Sequence, residues 1–303
     1  MASQLPDYTI RLMKKEEIPE VLDIWRETQL SEGTHSLDTW FSFDPEGFYV
    51  AVTNDGEILG VCAGVLQSED LAFIGLYVVK SSYQRKGIGK RIWDTVMERV
   101  GLRNAGVNPV PEQLANYRDR AGFGIQTSWC SVVCIARDIL TSELCTNIPG
   151  LEIQVLKPDD DIIDEVTVYD ADVYGFSRRN LVKLLCEEGD SITVAAITVG
   201  ERKVCGYGCI KENIKGNALV GPLYADETDI AELILYYLIK AFPLAESRGV
   251  TMMTIDCNQS AIDMTEKLGF FKEPGIARLY TKEEVNVKFE KVFGQHNLNF
   301  SVF

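Results

Sequence analysis

Residues 8–14 alternate apolar and polar side chains (Tyr-Thr-Ile-Arg-Leu-Met-Lys), and residues 151–157 do the same (Leu-Glu-Ile-Gln-Val-Leu-Lys). A period of two marks a half-buried strand. Behind each run lie acidic residues and a helical period, over 16–28 and 160–172, which predict a helix. Residues 48–52 and 192–196 then read as strands, and each turns into a further strand carrying a glycine, at 59–62 and 204–207. Asn54, Asp55 and Gly56 mark the first of these turns. Strands are predicted again at 71–79 and 218–224, each followed by a long helix, at 89–100 and 229–246. Both runs close on a strand, a short helix and a Gly-Phe step, Gly122-Phe123 and Gly269-Phe270. The chain therefore repeats one plan at a spacing of about 143 to 147 residues: β-α-α-β-β-β-α-β-α-β, a mixed sheet with helices on both faces. The stretch 136–150 has mixed polarity and ends in Pro149-Gly150, so it reads as a connection. The expected organisation is α/β, with one domain over 1–141, a linker over 142–150 and a second domain over 151–303. Such a repeat fixes an architecture and not a chemistry.

Composition narrows the partners. A net charge of −15 argues against nucleic acid and anionic membranes and is compatible with a cationic substrate. No run approaches the ~18 apolar residues of a membrane-spanning helix. The start, Met-Ala-Ser-Gln-Leu-Pro-Asp-Tyr, lacks the basic and apolar regions of a secretory leader. Eight cysteines are scattered singly, none in a Cys-x-x-Cys pair, and His35 and His296 are the two histidines. These are the marks of free thiols in a reducing, cytoplasmic setting, with no metal site. A homodimer stays open.

One basic stretch stands out in this acidic chain: Gln84, Arg85, Lys86, Gly87, Ile88, Gly89, Lys90 and Arg91. It follows the apolar strand that ends in Tyr77, Val78 and Val79, and opens a helix whose apolar positions are Ile92, Trp93, Val96, Met97 and Val100. The first N–H groups of a helix have no partner within it, and the helix dipole adds positive potential there. A glycine-bearing loop between strand and helix is thus an anion site. Gly87 and Gly89 allow close approach to a phosphate, and Arg85, Lys86 and Lys90 add charge. A nucleotide P-loop is excluded by the spacing, since no G-x-x-x-x-G-K-[S/T] occurs. A dinucleotide fingerprint fails for want of its third glycine.

The [Gln/Arg]-x-x-Gly-x-Gly spacing, with that strand before it and that helix after it, resembles the acetyl-CoA pyrophosphate signature of the GNAT N-acetyltransferase superfamily. The resemblance runs from about Tyr8 to Arg137. It implies two tandem GNAT-like domains and acetyl-CoA as cosubstrate. It also implies a pantetheine arm lying against Tyr77 to Val79, where that strand splays from the one near 101–107. The acetyl group would pass to a primary amine, either of a small molecule or of a lysine side chain. The site must take a proton from the ammonium, steady an oxyanion and protonate the leaving thiolate. The family's usual tyrosine for the last task lies four residues before the final Gly-Phe glycine. Here Arg118 stands at that place and Tyr117 is one position further off, which puts Tyr117 as general acid in question. Glu69, Asp70 and Glu46 are candidates for a base acting through water. His35 lies between the first two helices, in a segment that lines the acceptor cleft in the family.

The second half has no glycine loop at the matching place. Asp226, Glu227 and Asp229 open its helix and would repel a pyrophosphate. Its run from Asp172 through Tyr174, Gly175, Phe176 and Arg178, with Gly206-Tyr207 and Gly221-Pro222-Leu223, resembles the second domain of YitH-type tandem acetyltransferases and of a related nematode group. The expected role of this half is a wall closing the acceptor cleft near 29–41, with 174–180 the first place to look. On that reading, a fragment ending near Thr141 keeps acetyl-CoA binding. A non-catalytic CoA-thioester sensor or scaffold is the alternative, in which the displaced tyrosine signals lost chemistry. The stretch after Thr281 has no reading.

Overall fold

The first copy of the plan folds as β1 (Tyr8–Leu12), α1 (Ile18–Arg26), α2 (Ser36–Phe43), β2 (Phe48–Thr53), β3 (Ile58–Leu66), β4 (Leu71–Val79), α3 (Ile88–Val100), β5 (Asn104–Val107), α4 (Leu114–Arg120) and β6 (Ile125–Ala136). The second folds as β7 (Leu151–Val155), α5 (Ile163–Tyr174), α6 (Arg179–Glu187), β8 (Ser191–Thr198), β9 (Val204–Glu212), β10 (Ala218–Ala225), α7 (Thr228–Ala241), α8 (Pro243–Arg248), β11 (Val250–Ile255), α9 (Gln259–Lys267), β12 (Phe271–Lys272), β13 (Ile276–Tyr280) and β14 (Val292–Gly294). The structure, a computed structural model, describes residues 5–28 and 30–303. Met1 to Gln4 of the polar start and Gln29 of the expected cleft segment lie outside the described residues.

The sequence plan holds, with local corrections. The helix expected over 229–246 is broken in two at Phe242-Pro243, because Pro243 has no N–H to bond back and its ring clashes with the preceding turn. β14 was not foreseen. The connection after β6 packs on the second half: Cys145 N–H donates to Glu232 (3.0 Å) and Leu144 is buried.

The larger correction concerns where one half ends. Among the described residues, the fourteen strands join one sheet in the order β1-β2-β3-β4-β5-β13-β6-β11-β10-β9-β8-β7, with β12 on β6 and β14 on β10. The halves exchange strands at the join. β13 belongs to the second half in sequence, yet it lies between β5 and β6, with Leu279 opposite Val107 and Ile276 opposite Ser131. β6 belongs to the first half, yet it runs antiparallel to β11, from Val250 opposite Ala136 to Ile255 opposite Ser131. A cut near Thr141 therefore removes β13 from the first half's sheet.

Two layers cover the first half. On one face α3 buries Ile88, Ile92, Val96 and Val100 against Ala72, Ile74, Ala105 and Val107. On the other, α1 and α2 bury Val21, Trp25, Leu37 and Trp40 against Val50, Val61, Val65 and Leu76. Among the described residues, no helix is long and apolar enough to cross a membrane.

Candidate active site

β4 and β5 run parallel only from Leu71 opposite Asn104 to Ile74 opposite Val107. Beyond Ile74, β4 continues without β5, so the sheet opens into a V. At the same place β4 bulges against β3. Ala63 pairs with Gly75 and Val61 with Val78, leaving Cys62 opposite two residues, Leu76 and Tyr77. Leu76 takes φ +49°, and the extra residue puts Gly75 and Leu76 on one face of the sheet.

On the α3 face, the basic loop joins β4 to α3. Gly87 is the residue before the helix, at φ +85°, a conformation that costs glycine nothing. A Cβ there would meet nothing within 4 Å among the described residues, so none of them closes its outer side. Gln84 folds back and donates to the Val79 carbonyl (3.0 Å). Lys86 lies 5.3 Å over the Tyr83 ring, Lys90 pairs with Asp94 (2.6 Å), and Arg85 is exposed. Gly89 faces Tyr77, whose hydroxyl would stand 2.6 Å from a Cβ at that position. Tyr77, Trp93, Tyr117 and Phe123 form a chain of ring contacts with centroids 5.3 to 6.1 Å apart. Burial pushes Tyr77 up to about 12, with small additions from Cys62 and Asp94. Burial also pushes Tyr117 up, followed by its proximity to Cys62 and Tyr77. Tyr117 is thus both a packed aromatic and a neighbour of the β3–β4 bulge. Arg118 points away, exposed and paired with Asp119 (2.8 Å).

The opposite face of the V is occupied by residues 295–303. The Asn299 carbonyl sits against Gly75, where any Cβ would collide with it. Asn108, just after β5, donates to the Leu298 carbonyl (2.9 Å), and Gln67 donates to that of Phe300 (2.7 Å). The Val302 carbonyl accepts from Tyr280 (2.7 Å) and Arg278. Glu32, buried, accepts from the side chains of Asn297 (2.8 Å) and Asn299 (2.7 Å). Burial pushes the Glu32 carboxyl above the ordinary range, against the lowering effect of Asn299, the Gly33 N–H and the Lys211 charge.

Of the proposed proton acceptors, none lies in the V. Glu69 and Asp70 are exposed in the turn at the far end of β4, and Glu46 is exposed before β2. That corrects their candidacy: position just before β4 in sequence means the end away from the opening. His35 is half-exposed at the start of α2, 3.0 Å from Asp190 of the second half, on a surface cleft of about 570 Å³ beside Leu22 and Asp38. Sequence reasoning missed Glu32, Gln67, Asn108 and the 295–303 run. The alternation Asn-Leu-Asn-Phe-Ser-Val-Phe in the last of these was the available signal.

The second half repeats the V and closes it. β10 pairs with β11 only from Ala218 to Val220. Beyond that, β14 is wedged in, bonded to β10 at Leu223 and Tyr224, and Gln295 N–H donates to the Met253 carbonyl of β11 (2.6 Å). Arg178 is buried beside it, held by Asp170 (2.7 Å) and 3.0 Å from His296. Segment 30–41 touches the second half: Ser36 and Thr39 both donate to Glu188 (2.9 Å each), which pairs with Lys211 (2.9 Å).

Two models of the acetyltransferase (GNAT) family match the sequence, one over residues 17–110 and one over 166–294, together more than two thirds of the chain. The chain belongs to the GNAT acetyltransferase family. It is a tandem GNAT enzyme of acyl transfer, each copy carrying the mixed sheet flanked by helices. This tandem GNAT is similar to holothin acyltransferase of a Pseudoalteromonas species, 26% identical over 304 residues and 94% of both chains. It is also similar to the uncharacterized N-acetyltransferase YitH of Bacillus subtilis, 25% identical over 220 residues and 72% of both chains. Among solved structures, a tandem GNAT protein from the clavulanic acid biosynthesis pathway shares the fold, with a TM-score of 0.63 and 15% identity over 96% of this chain and all of that one. Among the described residues, no group of three or more metal-ligating side chains comes together.

Proposed function

We propose that the protein is an acetyl-CoA-dependent N-acetyltransferase for a primary amine, with its one cofactor site in the half spanning 1–141 and a degenerate copy over 151–303. The observation that carries this reading is the contrast between the two Vs. In the first, the strand opens beside Gly87, free helix N–H groups and three cations. In the second, Asp226, Glu227 and Asp229 stand at the helix start and β14 fills the gap.

Acetyl-CoA supplies the activated acetyl thioester. The N–H groups of Ile88, Gly89 and Lys90 hold the pyrophosphate, with Arg85 and Lys86 adding charge. Tyr77 to Val79 offer backbone groups to the pantetheine arm, with Gln84 bracing Val79. Tyr117, kept protonated by burial, donates to the departing sulfur. The amine approaches from the face of Gly75 and Leu76, where α1, α2 and the second half form the cleft.

Titration calorimetry tests the cofactor site. One equivalent of acetyl-CoA is expected per chain; two would place a working site in the second half. Gly89→Glu displaces Tyr77 and sets a negative charge on the phosphates. It is expected to weaken binding about a hundredfold, as the loss of one or two charge-assisted bonds implies. Unchanged affinity would remove the loop from the reading. Thiol release across an amine panel tests transfer: turnover with any amine separates an enzyme from a CoA-binding scaffold.

A further inference from the structure

Residues 295–303 lie across the face from which the amine must come, and they are bound there in a particular way. The carbonyls of Leu298, Phe300 and Val302 are each met by side chains of the cleft: Asn108, Gln67, and Arg278 with Tyr280. The alternate side chains, Asn297 and Asn299, go to Glu32. Phe300 enters an aromatic pocket beside Trp40 and Phe48, at 5.7 Å from each ring. Every second carbonyl read by a side-chain donor, with the intervening side chains read by a carboxylate, is peptide recognition, here of a turned segment: Asn297 Oδ1 accepts from the N–H groups of Asn299 (2.6 Å) and Phe300 (2.9 Å). After Gln295 this run makes no strand ladder among the described residues, and its last two residues, Val302 and Phe303, are buried in the core of the second half.

Two features set this occupant apart from a permanent wall. The Asn299 carbonyl rests on Gly75 at the mouth of the V, so a fixed segment bars the amine from the thioester. The fit is also incomplete. Gln67 Oε1, Arg278 Nη2, His296 Nε2 and both polar atoms of the Gln295 side chain are buried without a hydrogen-bond partner among the described residues. Unmet buried groups oppose the closed arrangement.

We propose that residues 297–300 are a displaceable intramolecular occupant of the acceptor cleft, and that the ligand taking their place is a turned peptide segment whose backbone Gln67 and Asn108 read and whose donors meet Glu32. The proposal rests on the reading of this face as the acceptor cleft. Its test needs no turnover, so a failed transferase reading leaves it standing.

The double variant Asn297→Asp, Asn299→Asp keeps the side-chain volumes and turns two donors to Glu32 into like charges. A labelled peptide with the sequence of residues 296–303 is then titrated without acetyl-CoA. One equivalent is expected to bind the variant at least tenfold more tightly than the unaltered protein. The same peptide with aspartate at its two cleft asparagines is expected to bind at least tenfold more weakly than the original. Equal affinity of the two proteins, or of the two peptides, overturns the proposal. Should the variant not fold, hydrogen exchange on the unaltered protein decides. Millimolar peptide is expected to speed exchange of the Asn299 and Phe300 amides selectively, and unchanged protection overturns the proposal.

Discussion

Gly75 and Gly221 hold the same place in the two copies, each the first residue past the last parallel pair, where the strands part. Both are pressed by backbone from the same stretch of chain, Asn299 at the first and Gln295 at the second. Tyr117 and His296 carry the residue-scale expectations. If Tyr117 gives the leaving sulfur its proton, Tyr117→Phe keeps the ring contacts with Trp93 and Phe123 and removes only the hydroxyl. Then kcat should fall by ~10²–10⁴ with acetyl-CoA affinity unchanged; near-normal thiol release would pass the role to water. His296 is held neutral, first by burial and then by the charges of Arg178 and Lys211, well below its usual 6.5. The unfolded chain therefore takes up that proton first. The associated stability is whole above 6.5 and drains as pH falls below it, by at most about 1.4 kcal/mol per pH unit. Urea unfolding at pH 7 and pH 5 should show His296→Gln losing less than the unaltered protein; equal losses would trace acid sensitivity to other groups.

Elements were legible where periodicity had one cause. β4 was read to its ends and α3 to within a residue, because strand and helix faces each bury one stripe. The 229–246 helix was read through Pro243, since an apolar period continues across it. The V was legible only from the family likeness, and its second occupant not at all. β14, three residues long, is too short to show a period, and the alternation after it does not name its partners, which lie far away in sequence. The candidate bases failed for a related reason: proximity to β4 in sequence does not say at which end of β4 the chemistry sits. At this scale the join of α5 to α6 is testable. Arg178 enters from the turn between them and is buried against Asp170, with its guanidinium 3.6 Å over the Tyr174 ring. Arg178→Ala strands a carboxylate and should cost about 3–5 kcal/mol, whereas Asp170→Leu with Arg178→Met should recover most of it. Denaturant melts that rank the double variant below the single one would refute this.

The molecule as a whole does not divide where its repeat does. The expected fragment ending near Thr141 lacks β13, so β5 and β6 lose the strand between them and the buried Leu279 and Tyr280. Such a fragment should show no cooperative melt and no acetyl-CoA binding. Adding the complementary piece, 142–303, should restore both. A fragment that folds alone and binds would mean that the exchanged strand is dispensable.

Strand exchange also sets a timetable for synthesis. Domains generally fold in order as they leave the ribosome, at about 5–20 residues per second. Here the earlier half waits, unfinished, for a strand encoded close to the end of the later one. The delay is on the order of ten seconds at those rates. Through it, the edges of β5 and β6 stay open to any passing strand, including one from a neighbouring nascent copy. The repeat that makes the architecture easy to read is thus also a hazard during its birth, and a chaperone holding that gap has a defined strand to wait for.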